Sequence, residues 1–158
     1  MCGKKGKKNQ KGASVAEFAV VALVFFMIIF GIIEFGRLLY THNALADATR
    51  RGARYAVLHP ANAPCVQNVV IYGETNINSA TCAPTGPPLI NGLTQANVIV
   101  QYQGSAPNPF GMNIGTATVK IQAYTFNLSI PLIHRTLTMP AYTTTLTAES
   151  AGIIPPDI

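Results

Sequence analysis

The chain has 158 residues, of which 49% are hydrophobic and 11% charged, and a formal charge of +5. Soluble domains carry about 25% charged residues, so the deficit points to a membrane, a dense assembly, or both. The charge also excludes a basic nucleic-acid face, because all of the surplus lies in the first twelve residues rather than on a folded surface.

The first segment is that basic leader, residues 1–12. Lys4, Lys5, Lys7, Lys8 and Lys11 stand there with no acid, whereas the rest of the chain has six basic and six acidic residues and is formally neutral. Lysines ahead of an apolar run keep the N-terminus cytoplasmic and send the C-terminus across the membrane. Cys2 is no lipoprotein cysteine, since no apolar run precedes it.

The apolar run follows, from Phe18 to Ile33, sixteen residues without a charge. As a helix it is about 24 Å long, short of the roughly 30 Å hydrocarbon core. It spans only by borrowing Val15 to Glu17 at one end or Glu34 to Gly36 at the other. A plain signal anchor is one reading. A cleaved secretory peptide fits worse, because the small-residue site Ala44-Leu45-Ala46 lies ten residues beyond the run, past Glu34 and Arg37.

Leader and run meet at Gly12-Ala13-Ser14-Val15-Ala16-Glu17-Phe18. A glycine follows the lysines, a glutamate stands five residues later, and an aromatic comes next. This resembles the type IV prepilin processing site. With Gly31-Ile32-Ile33-Glu34-Phe35-Gly36-Arg37 and Ala53-Arg54-Tyr55-Ala56, it resembles the TadE-like pilus-assembly family, most strongly over residues 12–58. The resemblance implies cleavage after Gly12 by a prepilin peptidase, a mature chain starting at Ala13, and a place in the bacterial inner membrane or the pilus. The implied role is that of a structural minor pilin or pseudopilin of a tight-adherence pilus. The implied partners are a Flp-type major pilin, other TadE/TadG-type pseudopilins, the inner-membrane secretion platform and the lipid bilayer.

Glu17 has a physical reason to matter. A carboxylate within the bilayer costs about 2.5–3.5 kcal/mol on insertion scales and persists where it has a partner. The new α-amino group, its own or a neighbouring subunit's, is such a partner, and the helix N-terminus adds about 0.3–1 kcal/mol. The resemblance implies a part for Glu17 in subunit register; the plainer reading is a marker of the anchor's interfacial end. Glu34 and Arg37 stand three apart on one face and are expected to pair at the outer interface, with Arg37 snorkelling.

The helical pattern continues outside. Ala44, Ala48, Gly52 and Ala56 recur every fourth residue, while Asp47, Arg50, Arg51 and Arg54 lie opposite. Small residues at that spacing let another backbone approach, either the chain's own domain or another subunit. The helix is expected from Ala13 to Leu58, ending before His59-Pro60. It divides into a membrane part, residues 13–37, and an exported part, residues 38–59. At 46 residues it is about 69 Å long.

The exported domain, residues 60–158, is Pro-, Gly- and Thr-rich. A short helix is expected around Val66 to Val70, in preference to a strand at Val69 to Tyr72, and a turn at Asn91-Gly92. Cys65 and Cys82 form an even pair in an exported segment, where a disulfide is favoured; two separate buried thiols are the alternative. Strands are expected at Val98–Tyr102, Ala117–Phe126 and Tyr142–Ala148, all rich in β-branched and aromatic residues. A loop separates them at Gly104–Gly115, and a loose tail runs from Gly152. The predicted class is α+β: a long N-terminal helix and a small domain with an antiparallel sheet.

No P-loop, H-E-x-x-H or G-x-S-x-G motif is present. His42, His59 and His134 have no ligand spacing with a cysteine. No enzymatic activity, cofactor, metal or nucleic-acid partner is therefore expected. The competing function is an uncleaved single-pass anchor that holds an adhesive or sensory binding module.

Overall fold

The computed structural model describes residues 11–59, 62–78, 80–103, 116–131 and 133–147. Most of the leader, the expected loop at Gly104–Gly115, Ala148 and the C-terminal tail lie outside the described residues. Helix α1 runs unbroken over Lys11–Leu58, starting two residues before the expected Ala13. No proline falls within it to interrupt its hydrogen-bond ladder. At its end the His59 N–H donates to the Tyr55 carbonyl at 3.2 Å, and the His59 ring stacks on Tyr55 with centroids 3.9 Å apart.

Helix α2, Ala63–Tyr72, takes the place where a short helix was preferred to a strand. Its signals are local. Asn62 caps it by accepting the Cys65 N–H, Pro64 stands in the first turn, and Gly73 closes it at φ +81°. Five strands follow: β1 Val98–Gln103, β2 Thr116–Ile121, β3 Thr125–Ile130, β4 Ile133–Thr138 and β5 Tyr142–Thr147. Strands β1, β2 and β5 form an antiparallel sheet in the order β1-β2-β5, and β3 pairs with β4 alone.

Two differences from the sequence reading concern these strands. The expected single strand Ala117–Phe126 is interrupted after Ile121, and β4 was not foreseen. Both belong to one device. The register of β2 with β5 ends at Ile121↔Tyr142 and that of β3 with β4 begins at Thr125↔Thr138. Three residues intervene on each arm, so no register is lost. The two ladders are one long hairpin bent at Gln122–Tyr124 and Met139–Ala141. Ala123 sits at φ +54°, a left-handed conformation that turns the first arm. On the second arm Pro140 has no N–H to give a ladder. The bend keeps one cross-arm bond, Met139 N–H to the Tyr124 carbonyl at 2.8 Å. Asn97 holds it from outside, its Nδ2 donating to the carbonyls of Gln122 (3.2 Å) and Ala123 (3.1 Å).

The core lies where the three-stranded sheet meets both helices. Ala117, Val119 and Ile121 of β2 have no exposed surface, and they alternate with half-buried Thr116, Thr118 and Lys120. Against them lie Leu45, Ala48 and Ala56 of α1 and Val66 and Val70 of α2. Gly52 permits the closest approach. A Cβ there would meet Val70 Cγ2 at 2.3 Å, so only glycine fits without movement.

Candidate functional site

The long helix changes character along its length. From Thr41 onward one stripe, Thr41, Leu45, Ala48 and Gly52, is buried under the chain's own sheet. The same 3–4 spacing runs backward through Leu38, Glu34, Gly31 and Met27, all half-buried. Around that stripe the N-terminal half is apolar on every side and uncovered: Phe18 is 73% exposed, Val21 66% and Ile32 67%. An all-apolar helix is covered by protein or by lipid. Most of this one is not covered by the described residues, and it is long and apolar enough to cross a membrane.

The residues singled out from sequence fall at three heights. Gly12 and Ala13 lie in the first turns of α1. Glu17 and Phe18 follow on the exposed helix, and among the described residues Glu17 has no hydrogen-bond or ion-pair partner. Glu34 and Arg37 are one pair at mid-helix, with Arg37 Nη2 2.9 Å and Nε 3.2 Å from Glu34 Oε2. Ala48, Gly52 and Ala56 pack inward on the chain's own domain, and Ala44 is half-buried beside a cleft. The structure thus brings Glu34 to Arg37 but leaves Gly12 and Glu17 far from every other candidate.

Arg37 does more than snorkel. It also donates to the Asn127 carbonyl of β3, and its guanidinium stands 4.6 Å from the centroid of the Phe126 ring. Such a contact contributes about 0.5–1 kcal/mol where exposed. Arg37 therefore ties the bent hairpin to the helix where α1 passes from uncovered to covered. Sequence reasoning missed Phe126, Asn127 and Pro131. The available signal was the alternation Phe126, Leu128, Ile130 running into Pro131, which marks a hairpin.

Beside this tie a cleft opens between α1, the Leu89–Gly92 turn and the bend, lined by Arg37, Tyr40, Thr41, Ile90, Tyr124 and Phe126. Two of its hydroxyls are engaged within the chain. Thr41 Oγ1 donates to the Arg37 carbonyl at 2.9 Å and Tyr124 Oη to the Asn91 carbonyl at 2.7 Å. Burial pushes the Tyr124 phenol above its ordinary value, opposed by the charge of Arg37, so the phenol remains a proton donor to Asn91. No nucleophile faces a base in this cleft. The histidines stand apart: His42 Nδ1 lies 2.7 Å from Tyr142 Oη, His59 stacks on Tyr55, and His134 pairs with Ser129 in the hairpin. Burial also raises the Tyr142 phenol.

Cys65, near the start of α2, and Cys82, in the loop that follows, come together with Cα atoms 5.1 Å apart and are joined as a disulfide. Cys82 takes φ +57°, and its carbonyl accepts Asn68 Nδ2 at 2.8 Å. The bridge closes the loop onto α2.

Residues 12–54 match the family model described as TadE-like protein. The matched stretch begins at the glycine of the leader junction and ends within α1, so it covers the anchor, Glu17 and the Glu34–Arg37 pair but none of the sheet. No curated protein and no solved structure matches the chain.

Proposed function

We propose, on the similarity of residues 12–54 to the TadE-like family, that this chain is a structural, non-enzymatic minor pilin or pseudopilin of tight-adherence pilus assembly. A prepilin peptidase cuts it after Gly12. The mature chain is held in the inner membrane by residues 13–37, with its sheet domain outside. It works beside a Flp-type major pilin, other TadE/TadG-type pseudopilins and the secretion platform, either within the fibre or at its base. One observation carries the reading. The family match covers a leader junction with Glu17 five residues after Gly12, on a helix whose apolar surface the described residues leave mostly uncovered.

Glu17 is the operative residue in this reading. An unpaired carboxylate in an apolar helix is costly in the bilayer. A new α-amino group, generated by the cut and presented by a neighbouring subunit, offsets that cost and sets the stagger between subunits. The test is complementation of a strain that lacks this chain. The wild-type chain restores pili. Glu17→Val is expected to insert and accumulate at least as well yet to leave the cells without pili. Full piliation by Glu17→Val would reduce Glu17 to a marker of the anchor's end.

A further inference from the structure

We propose that the tip of the β3–β4 hairpin enters the outer leaflet of the bilayer that α1 spans, so that the chain grips the membrane with a wedge as well as a helix. This rests on the reading of α1 as the anchor. The hairpin descends along the helix, since Asn127 is held by Arg37, while Pro131 at the tip shares a groove with Ala19, Leu23, Phe26, Met27 and Phe30. Four strand residues from Asn127 to Pro131 cover about 13 Å, and along the helix the groove begins at Phe30, about 10 Å from Arg37, and runs on to Ala19, about 27 Å away. The tip therefore lies level with the uncharged apolar run, and whatever solvates Phe26 and Phe30 also meets Pro131.

The chemistry of the hairpin changes at the matching height. Among the described residues the tip presents Ile130 and Pro131, neither of which carries a charge or a hydroxyl. Behind it come Ser129 opposite His134, then Leu128 opposite Arg135. Arg135 is exposed and has no carboxylate partner among the described residues. It stands one register step from Asn127, hence on the tier of Arg37. Lipid phosphates fit this tier, because arginine binds phosphate in bidentate fashion, and acyl chains fit the tip. From Arg135 to the tip is about three residues, or roughly 10 Å, the depth at which amphipathic elements sit in the headgroup–acyl boundary. The backbone groups on the outer edges of this two-stranded ribbon stay within reach of interfacial water, which a deeper strand pair would lack.

Depth-dependent fluorescence tests the wedge. The chain has no tryptophan, so one introduced indole reports alone. The full chain, with Val21→Trp, Pro131→Trp or Leu137→Trp, is placed in nanodiscs whose lipids carry bromine on the acyl chains. Pro131→Trp is expected to lose most of its emission to the bromines and little to aqueous iodide. Leu137→Trp, on the same hairpin above the arginine tier, is expected to show the reverse. Val21→Trp reports the anchor and is expected to be quenched by bromine. Ile130→Trp keeps the proline of the turn and is expected to match Pro131→Trp. A quenched Val21→Trp beside a tip reporter that answers to iodide overturns the wedge and leaves the anchor standing. A tip shielded from both quenchers means that protein covers it, which also overturns the wedge. If Val21→Trp itself escapes the bromines, anchor and wedge fall together.

Discussion

From Thr41 to Val57, α1 turns Leu45, Ala48, Ala53 and Ala56 onto the chain's own core with no surface left exposed, whereas from Val15 to Ile33 the same helix leaves Phe18, Val20, Val21 and Ile32 open. Both halves are rich in aliphatic side chains, but only the outer one carries a charged face, formed by Asp47, Arg50, Arg51 and Arg54. The outer half buries one stripe under the sheet; the inner half is apolar all round and is mostly left uncovered by the described residues. One continuous helix thus has two different settings, covered by protein above the Glu34–Arg37 pair and mostly uncovered by the described residues below it, where it is long and apolar enough to cross a membrane. The bent hairpin divides in parallel, its upper arms in the three-stranded sheet and its lower arms alone against the helix.

This contrast breaks most sharply under one type of truncation made in each half. Leu45→Ala, at a fully buried position, is expected to destabilise the sheet domain by about 2–5 kcal/mol. Ile32→Ala, at an exposed one, is expected to change it by less than about 0.5 kcal/mol. Urea unfolding of the detergent-solubilised chain, followed by near-ultraviolet circular dichroism of the tyrosines, reads both. Equal losses would mean that the inner half is also part of the domain's fold.

Replacing Cys65 and Cys82 together with alanine opens an 18-residue loop. The expected loss is about 3 kcal/mol, confined to the sheet domain, with membrane insertion unchanged in a carbonate extraction. Glycines sharpen the contrast at smaller scale. Gly52→Ala drives a Cβ into Val70 and is expected to cost about 1–3 kcal/mol. Gly31→Ala meets nothing within 4 Å and is expected to be neutral or to stiffen the helix by about 0.5–1 kcal/mol. A denaturation series on the two variants tells them apart. A modest effect is expected at the bend. Tyr124→Phe removes the bond to the Asn91 carbonyl and should lower the midpoint by the equivalent of about 1 kcal/mol.

What was legible in the sequence follows the range of the interactions. The helix, its end near Pro60 and the short α2 are written locally, in periodicity, a cap and prolines, and they lie within a few residues of where they were expected. The alternation Val119, Ile121 against Lys120 and Gln122 likewise exposed β2. The bend was not legible. The pattern runs smoothly from Ile121 through Phe126, and the interruption comes from Ala123 in a left-handed conformation facing Pro140 across an arm. Only knowledge of the partner strand shows that Pro140 and Ala123 face each other. The same holds for Arg37. Its pairing with Glu34 is a three-residue matter, whereas its contacts with Phe126 and Asn127 span about ninety residues of sequence and depend on the hairpin's descent.

The central claim is that the charged leader is removed and that what remains is a neutral chain anchored by α1. Intact-mass and N-terminal analysis of the protein, extracted from membranes of cells with and without a prepilin peptidase, tests it most directly. The account predicts a chain beginning at Ala13 in the first and one that still carries Lys4 to Gly12 in the second. A chain that keeps the leader in peptidase-positive cells would contradict it, and would favour an uncleaved anchor bearing a binding domain.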